Sequence, residues 1–142
     1  MPLSQDERQQ FLAQPHIAAL AVSAPGRGPL TVPIWYQYAP GTEAWVLTGP
    51  ESQKIRRIRE AGRFSLMVQR EEPTVRYVSV EGPVTRIVEV TDEMNREMAA
   101  RYLPADKVDP YLKATESYGG QVAVFMRPEH WLSADLGDIR DL

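Results

Sequence analysis

The 142-residue chain contains no cysteine and only two histidines, His16 and His130. The first absence excludes a disulfide scaffold, thiolate metal sites, CxxC redox chemistry and a cysteine nucleophile. The second leaves too few imidazoles for a His-rich zinc or non-haem iron centre, so no metal site is expected. Long apolar runs are missing too: the longest, Ile17 to Val22, is far too short to span a bilayer. The polar, acidic start from Met1 to Arg8 lacks the basic residues and apolar core of a signal peptide, so a cytoplasmic location and no membrane partner are expected. A net charge of −3 and a pI near 5.4 supply no general field for a polyanion, which argues against nucleic acid. Nor is there a nucleophile beside a base, a Gly-rich phosphate loop or a paired-carboxylate motif. Glu71-Glu72 and Asp92-Glu93 sit where solvation explains them. For any demanding reaction, the expected source of reactivity is then a bound organic cofactor.

What is present reads as one globular domain over residues 1–142, cut into short elements by 12 prolines and 9 glycines without repeats or low-complexity linkers. Ser4 and Glu7 have capping-box spacing, predicting a helix over about 4–13 that Pro15 stops. The run 17–23 predicts a strand buried on both faces, and 30–38, rich in β-branched and aromatic residues, predicts a second in which Pro33 marks an edge, bulge or interruption. With a third strand over 44–48 and hairpin-sized connections, these predict an antiparallel meander. Gly49-Pro50 opens a helix, with Pro50 expected at its first position. Strands are predicted over 63–69, 75–81 and 84–90, the last two parted by Gly82-Pro83. A helix from Thr91 to about Tyr102, a shorter one over 109–116 and a final strand over 121–127 complete the chain. Six or seven mainly antiparallel strands on a chain this short favour a small barrel, because closure removes exposed edges.

Charge is unevenly spread. Residues 51–70 carry Lys54, Arg56, Arg57, Arg59, Arg63 and Arg70 against Glu51 and Glu60, a local +4 set against −7 elsewhere. A helix start presents unpaired N–H groups and a partial positive charge; Thr48 and Ser52 hydroxyls, with Lys54 and Arg57 three residues apart, can build a compact anion pocket there. The plainer reading is a Ser52 cap with a solvated basic face. Trp35 and Tyr36, an aromatic pair in a strand, most often mean core or interface; because neighbours in a strand face opposite sides, only one of them can meet a planar ligand. His16 reads as a residue at the start of a strand without chemistry, and His130 and Trp131 as packing for the carboxyl-terminal tail or a subunit contact.

The element order, with Val46-Leu47-Thr48-Gly49-Pro50-Glu51-Ser52-Gln53-Lys54, Thr31-Val32-Pro33-Ile34-Trp35-Tyr36 and Arg76-Tyr77-Val78-Ser79-Val80-Glu81-Gly82, resembles the FMN-binding split barrel of pyridoxamine 5′-phosphate oxidase and the related flavin- and deazaflavin-dependent reductases. The resemblance covers nearly the whole chain. It implies a mainly β fold with flanking helices, a split β-barrel of six to seven mostly antiparallel strands forming one cofactor-binding domain. It also implies a homodimer with the cofactor at the subunit interface. In such proteins the first segment grips the cofactor phosphate, the second lies along the ring, and the third reaches the cofactor held mainly by the other subunit. Carried over, this makes Val32, Pro33, Ile34, Trp35, Tyr36, Leu47, Thr48, Ser52, Gln53, Lys54, Arg57 and Tyr77 the expected cofactor-binding residues, with no catalytic side chain assigned.

The cofactor implied is the deazaflavin coenzyme F420, with FMN as the alternative. The oxidases usually place Arg where this chain has Gln53, whereas Ser-Gln-Lys and the ending Ser133-Ala134-Asp135-Leu136 are similar to deazaflavin-using reductases, including those that reduce biliverdin. Trp131 and Arg140 are a faint trace of the oxidases' carboxyl-terminal signature. The longer anionic tail of F420 asks for a basic track, for which Lys54, Arg56, Arg57 and Arg59 are available, extended by Arg27 or Arg63 if the fold brings them near. The implied activity is an F420-dependent reductase that passes a hydride to a conjugated organic small molecule, possible biliverdin-like acceptors included. The other readings are an FMN-binding oxidoreductase or a non-catalytic carrier of a flavin, haem or tetrapyrrole.

Overall fold

Ser4 and Glu7 form the capping box that their spacing predicts. The Ser4 hydroxyl accepts from the Glu7 N–H at 3.2 Å and the Glu7 carboxylate from the Ser4 N–H at 3.0 Å, starting α1 (Gln5–Ala13). In the computed structural model, which describes residues 1–138, the strands are β1 (Ala18–Ala24), β2 (Arg27–Ile34), β3 (Tyr36–Gln37), β4 (Ala44–Thr48), β5 (Arg63–Arg70), β6 (Val75–Glu89), β7 (Val122–Met126) and β8 (His130–Gly137). The remaining helices are α2 (Gln53–Ala61), α3 (Asp92–Tyr102) and α4 (Ala105–Thr115). The eight strands pair antiparallel in the order β2-β1-β5-β6-β7-β4-β3, with β8 added to β6. The sheet curls into the expected split barrel with flanking helices, one strand richer than the sequence suggests.

The expected three-strand meander does not form. β2 pairs only with β1 and β3 only with β4, so β2 and β3 are the two ends of the sheet although Trp35 alone separates them in sequence. The chain corner at Trp35 links two edges that share no ladder, which is what leaves the barrel split. Pro33 stands on the edge strand β2, where a residue without an amide hydrogen is tolerated.

Gly82-Pro83 does not divide two strands either. β6 runs unbroken through it, its first half between β5 and β8 and its second half against β7, with an irregularity between Val84 and Arg86. Continuity depends on a close crossing: a Cβ on Gly82 would lie 1.8 Å from the Arg127 carbonyl oxygen. Hydrogen bonds from Arg127 N–H to Pro83 O (3.0 Å) and from Glu129 N–H to Glu81 O (2.9 Å) hold the crossing on both sides.

The barrel interior gathers Leu20, Tyr36, Val46, Phe64, Leu66 and Val80 with Leu12 of α1 and Ile55 and Ile58 of α2. A second cluster lies outside β4 and β7, where Trp45, Ala123 and Phe125 pack on Met98 of α3. Those two strands are therefore buried on both faces. β1, expected to be so, buries only Ala18, Leu20 and Val22 completely. Its other face belongs to an open sheet surface on which Pro33, Ala19, Met67, Ser79 and Leu132 line up in register, and on which Ile17, Leu132 and Leu136 are 58%, 65% and 57% exposed.

Three boundaries also shift. Ser52, not Pro50, starts α2, because its hydroxyl accepts from the Ile55 N–H. α4 begins at Ala105 rather than 109 and carries Pro110 inside it. Residues 130–137, read as a tail, form β8, whose Trp131 packs on the interior cluster.

Candidate functional site

The corner at Trp35 sends the aromatic pair in opposite directions, as alternation requires. Tyr36 is wholly buried; its hydroxyl donates to the Leu12 carbonyl at 2.6 Å, and burial pushes its phenol well above the usual range. Its side chain is therefore committed to the core and unavailable to a ring. Trp35 turns outward and stacks on Tyr102 (centroids 4.7 Å, interplanar angle 10°), with Tyr111 at 5.5 Å. The Tyr102 hydroxyl accepts from the Tyr36 N–H at 3.0 Å and lies 2.7 Å from the His16 carbonyl. Beside it, Arg101 reaches the carbonyls of Ala13 and Gln14 and the Gln37 carboxamide. A cation there satisfies acceptors left over at the end of α1. The end of α3 thus pins the corner. His16 is tied to the same region by Nε2 at 3.0 Å from the Phe11 carbonyl, and burial lowers its pKa.

Two cavities adjoin this corner and share Pro33 as a wall. One, of about 230 Å³, lies under α3 and α4 and is lined by Ile34, Trp35, Leu47, Met98 and Tyr111 among others. The other, of about 320 Å³, is a groove on the open sheet face bounded by Ile17, Thr31, Val32, Met67 and Gln69. The Val32 and Ile34 side chains pack against the interior, so what these residues present outward is the unpaired main-chain edge of β2. Tyr77 is the register partner of Gln69, on the open face beside the groove. Across the split, β3 pairs with β4 only at Trp45 and Val46, which leaves Leu47 and Thr48 without a neighbour on that side.

At this end of β4 the Thr48 and Ser52 hydroxyls lie 2.8 Å apart, and Ser52 Oγ accepts from the Ile55 N–H at 3.1 Å. One hydroxyl hydrogen is shared within the pair and the other is left to donate. Ser52 therefore both caps the helix and keeps a donor, so the two readings of this residue are compatible. Lys54 is half-buried and has no hydrogen bond or ion pair among the described residues, whereas Arg57, half-buried on the same flank, pairs with Glu60 at 3.3 Å. Gln53 is exposed. α1 and α3 carry acids in their first turns, as the helix dipole favours, but α2 has none and places Lys54 there instead.

The basic window does not act as one patch. Arg63 is held by Glu81 (3.2 Å) and Glu129 (3.0 Å), and Arg70 by Thr74, so neither extends a track from Lys54. Arg27 begins β2 after the hairpin turn. In β8, Asp135 accepts from the Gly137 N–H, the Thr74 hydroxyl and Arg76, which together hold its carboxyl down at about 2. Arg140 lies outside the described residues. Sequence reasoning did not single out Met67, Gln69, Asn95, Tyr102, Tyr111 or Gln121 as lining or supporting these cavities. The helical spacing of Met98, Ala99 and Tyr102 marks a packed face, but nothing local shows that the face closes over Trp35. Among the described residues no three His, Asp or Glu gather to hold a metal, and no helix is long and apolar enough to cross a membrane.

The family model described as pyridoxamine 5′-phosphate oxidase matches residues 4–131. Among solved structures, the conserved hypothetical protein Rv2991 of Mycobacterium tuberculosis superposes with a TM-score of 0.71 at 26% identity, over 94% of this chain and 85% of that one. An F420 reductase superposes with a TM-score of 0.66 at 24% identity over 87% and 94% of the two chains. An FAD-binding protein of Mesorhizobium loti does so with a TM-score of 0.63 at 20% identity over 96% and 98%. No curated protein matches the chain.

Proposed function

This chain belongs to the pyridoxamine 5′-phosphate oxidase family, and on that premise we propose that it is an F420-dependent oxidoreductase that reduces a conjugated organic small molecule. The observation that carries the reading is the end of β4 at Leu47 and Thr48, unpaired on the β3 side, followed by the first turn of α2 with the half-buried Lys54, which has no partner among the described residues. A lysine at a helix start opposes the dipole unless an anion lies between them. Such a breach of a local rule is typical of a binding site.

A flat heterocycle with a phosphate on its side chain fits this arrangement. The edge of β2 at Val32, Pro33 and Ile34 supplies free main-chain groups along the ring, and the groove beside Met67 and Gln69 supplies an apolar bed. Leu47 and Trp35 bound the inner side, and Tyr77 stands on the open face beside the groove. Thr48, Ser52, Gln53 and Lys54 hold the phosphate, and Arg57 becomes available to a longer anionic tail once it exchanges Glu60 for it. Tyr36 contributes from the core by fixing the corner. When bound, the reduced deazaflavin supplies a hydride to an electron-poor double bond; the chain's own residues bind, orient and exclude water.

The open sheet face, with its exposed Ile17, Leu132 and Leu136, is the surface through which we propose that a second copy completes the groove. The test is titration of pure protein with F420 and with FMN, together with sedimentation to give the oligomeric state. Deazaflavin fluorescence is expected to respond at micromolar protein, and Lys54→Ala to weaken binding by about 1.5–3 kcal/mol, roughly ten- to a hundredfold in Kd. Unchanged affinity in Lys54→Ala would sink the phosphate site. Saturable binding of FMN alone would move the assignment to an FMN-binding oxidoreductase, and tight binding without turnover by any acceptor would leave a carrier.

A further inference from the structure

We infer that the cleft between α1, the β3–β4 turn and the β7–β8 connection is a second binding site, separate from the cofactor groove, for a small, flat organic carboxylate, with Arg8 as its principal cation. The cleft has a volume of about 470 Å³ and is walled by Tyr38 and Trp131, with Gln9, Glu43 and Arg127 among its polar residues. It shares no residue with the two cavities at the Trp35 corner. Glu43 places it at the Ala44 end of β4, whereas Thr48 and Ser52 stand at the other end, about 13 Å along the strand. By alternation Trp131 turns to the interior while Leu132 lies on the open sheet face, so the cleft is on the opposite side of β8 from the surface proposed for a second copy.

The charge balance selects the ligand. Arg8 is half-buried, its Nε is fully buried without an acceptor, and the side chain has no hydrogen bond or ion pair among the described residues. Its guanidinium stands over the Trp131 ring, 4.8 Å from the centroid. Stacking engages the face of the fork and leaves its in-plane N–H groups free. A guanidinium drawn out of water without an acceptor is costly, and a carboxylate in the plane of the fork supplies the missing partner. The other charges do not neutralise it. Glu43 accepts from the Thr85 hydroxyl and pairs with Arg86 at 3.9 Å, so it is already engaged. Arg127 is held only loosely by Glu129, at 3.7 Å, because that carboxylate also binds Arg63 at 3.0 Å and lies 3.2 Å from His130 Nε2. The spare charge is therefore positive, which favours an anion. Tyr38 and Trp131 meet edge to face, with centroids 6.2 Å apart at 69°, and present ring surface to a flat body. Burial pushes the Tyr38 phenol above its usual range, so this wall stays uncharged. Gln9, whose carboxamide has no partner among the described residues, adds N–H donors beside Arg8. A ligand held this way ties α1 to β8 and to the β3–β4 turn, and so stabilises the fold.

The test is titration of the full chain without cofactor, with 4-fluorobenzoate as the probe and fluorine NMR as the signal. Saturable binding with a Kd below about 1 mM is expected, with a matching rise in Tm. 4-Fluorobenzamide has the same shape without the charge, and acetate the charge without the ring; each is expected to bind about tenfold more weakly or worse. Arg8→Met keeps an apolar stem over Trp131 and removes the fork, and is expected to weaken 4-fluorobenzoate binding by about ten- to a hundredfold. Arg127→Ala, at an exposed position, is expected to weaken it about threefold or more, and carries the test if Arg8→Met fails to fold in thermal melting. Arg96→Met, which removes an exposed cation of α3, and Lys54→Ala are expected to leave it unchanged. A Kd above about 1 mM, equal affinity for the amide, unchanged affinity in a folded Arg8→Met, or loss of binding in Lys54→Ala overturns the inference. The cleft does not rest on the function proposed above, and cofactor titration of the same samples separates the two. Carboxylate binding without F420 or FMN binding supports the cleft and removes only the cofactor reading, and the converse removes only the cleft.

Discussion

Replacing Gly82 by alanine tests the architecture at its tightest point. The added Cβ would lie 1.8 Å from the Arg127 carbonyl oxygen, 2.8 Å from its carbon and 3.3 Å from the Glu129 nitrogen, all main-chain atoms that cannot swing aside as a side chain would. Ordinary contact requires the β7–β8 connection to move away by about 1.5 Å. That displacement breaks two hydrogen bonds, Arg127 N–H to Pro83 O and Glu129 N–H to Glu81 O, at about 1 kcal/mol each. Overpacking adds about 1–3 kcal/mol. The reduced freedom of the unfolded chain returns about 0.4–1 kcal/mol. The net loss is about 2–5 kcal/mol, or roughly 10 °C or more in Tm for a chain of this length. Urea unfolding followed by circular dichroism and tryptophan fluorescence measures it. Gly28→Ala is the control, since no atom of the described residues lies within 4 Å of a Cβ there; it should change stability by no more than about 1 kcal/mol. A loss below about 1 kcal/mol in Gly82→Ala would refute the close crossing, and with it the continuity of β6 that places Tyr77 and the β7 junction on one strand.

Tyr102→Phe keeps the stack on Trp35 but leaves the Tyr36 N–H and His16 carbonyl without their partner; a loss of about 1–3 kcal/mol in urea unfolding is expected, and no loss would remove Tyr102 from the anchoring of the corner. Asp135 has its carboxyl held down by the Gly137 N–H first and by Thr74 and Arg76, so its contribution is complete above about 3.8 and is lost as pH falls toward about 2; Asp135→Asn should flatten the stability profile in that window and leave it unchanged in shape at neutral pH. His16 titrates closer to neutrality: burial lowers its folded pKa, so the unfolded chain takes up the proton first and stability declines as pH drops below about 6.5. That decline should disappear in His16→Phe, and its persistence would assign the titration to another group.

Much of the local architecture was legible because its causes are local. Ser4 and Glu7 announce α1 through two hydrogen bonds three residues apart, and the acids of the first turn of α3 complement its dipole. The helix start after Ser52 was legible on the same grounds, since its hydroxyl accepts from the Ile55 N–H; among the described residues Lys54 has no partner there, while Arg63 and Arg70 are engaged elsewhere. Other features were not legible. β8 has alternation but little apolar content, and only β6 gives it a partner. Gly82-Pro83 carries the composition of a turn, yet the distant Arg127 carbonyl makes it a crossing.

The sequence by itself determined the chemistry that this chain lacks, the positions where helices start and stop, and the alternation that sends Trp35 and Tyr36 to opposite sides. These depend on atoms a few bonds or one helical turn apart. The tertiary structure decided which of the two aromatics faces a cavity, that β2 and β3 become opposite edges of a split sheet, and which cations of the basic window remain free. Those outcomes depend on partners far along the chain, such as Tyr102 for the corner, Glu129 for Arg63 and β5 for β1. Periodicity specifies a face but not its neighbour, and the neighbour is what distinguishes a core tyrosine from a tryptophan on the wall of a cavity.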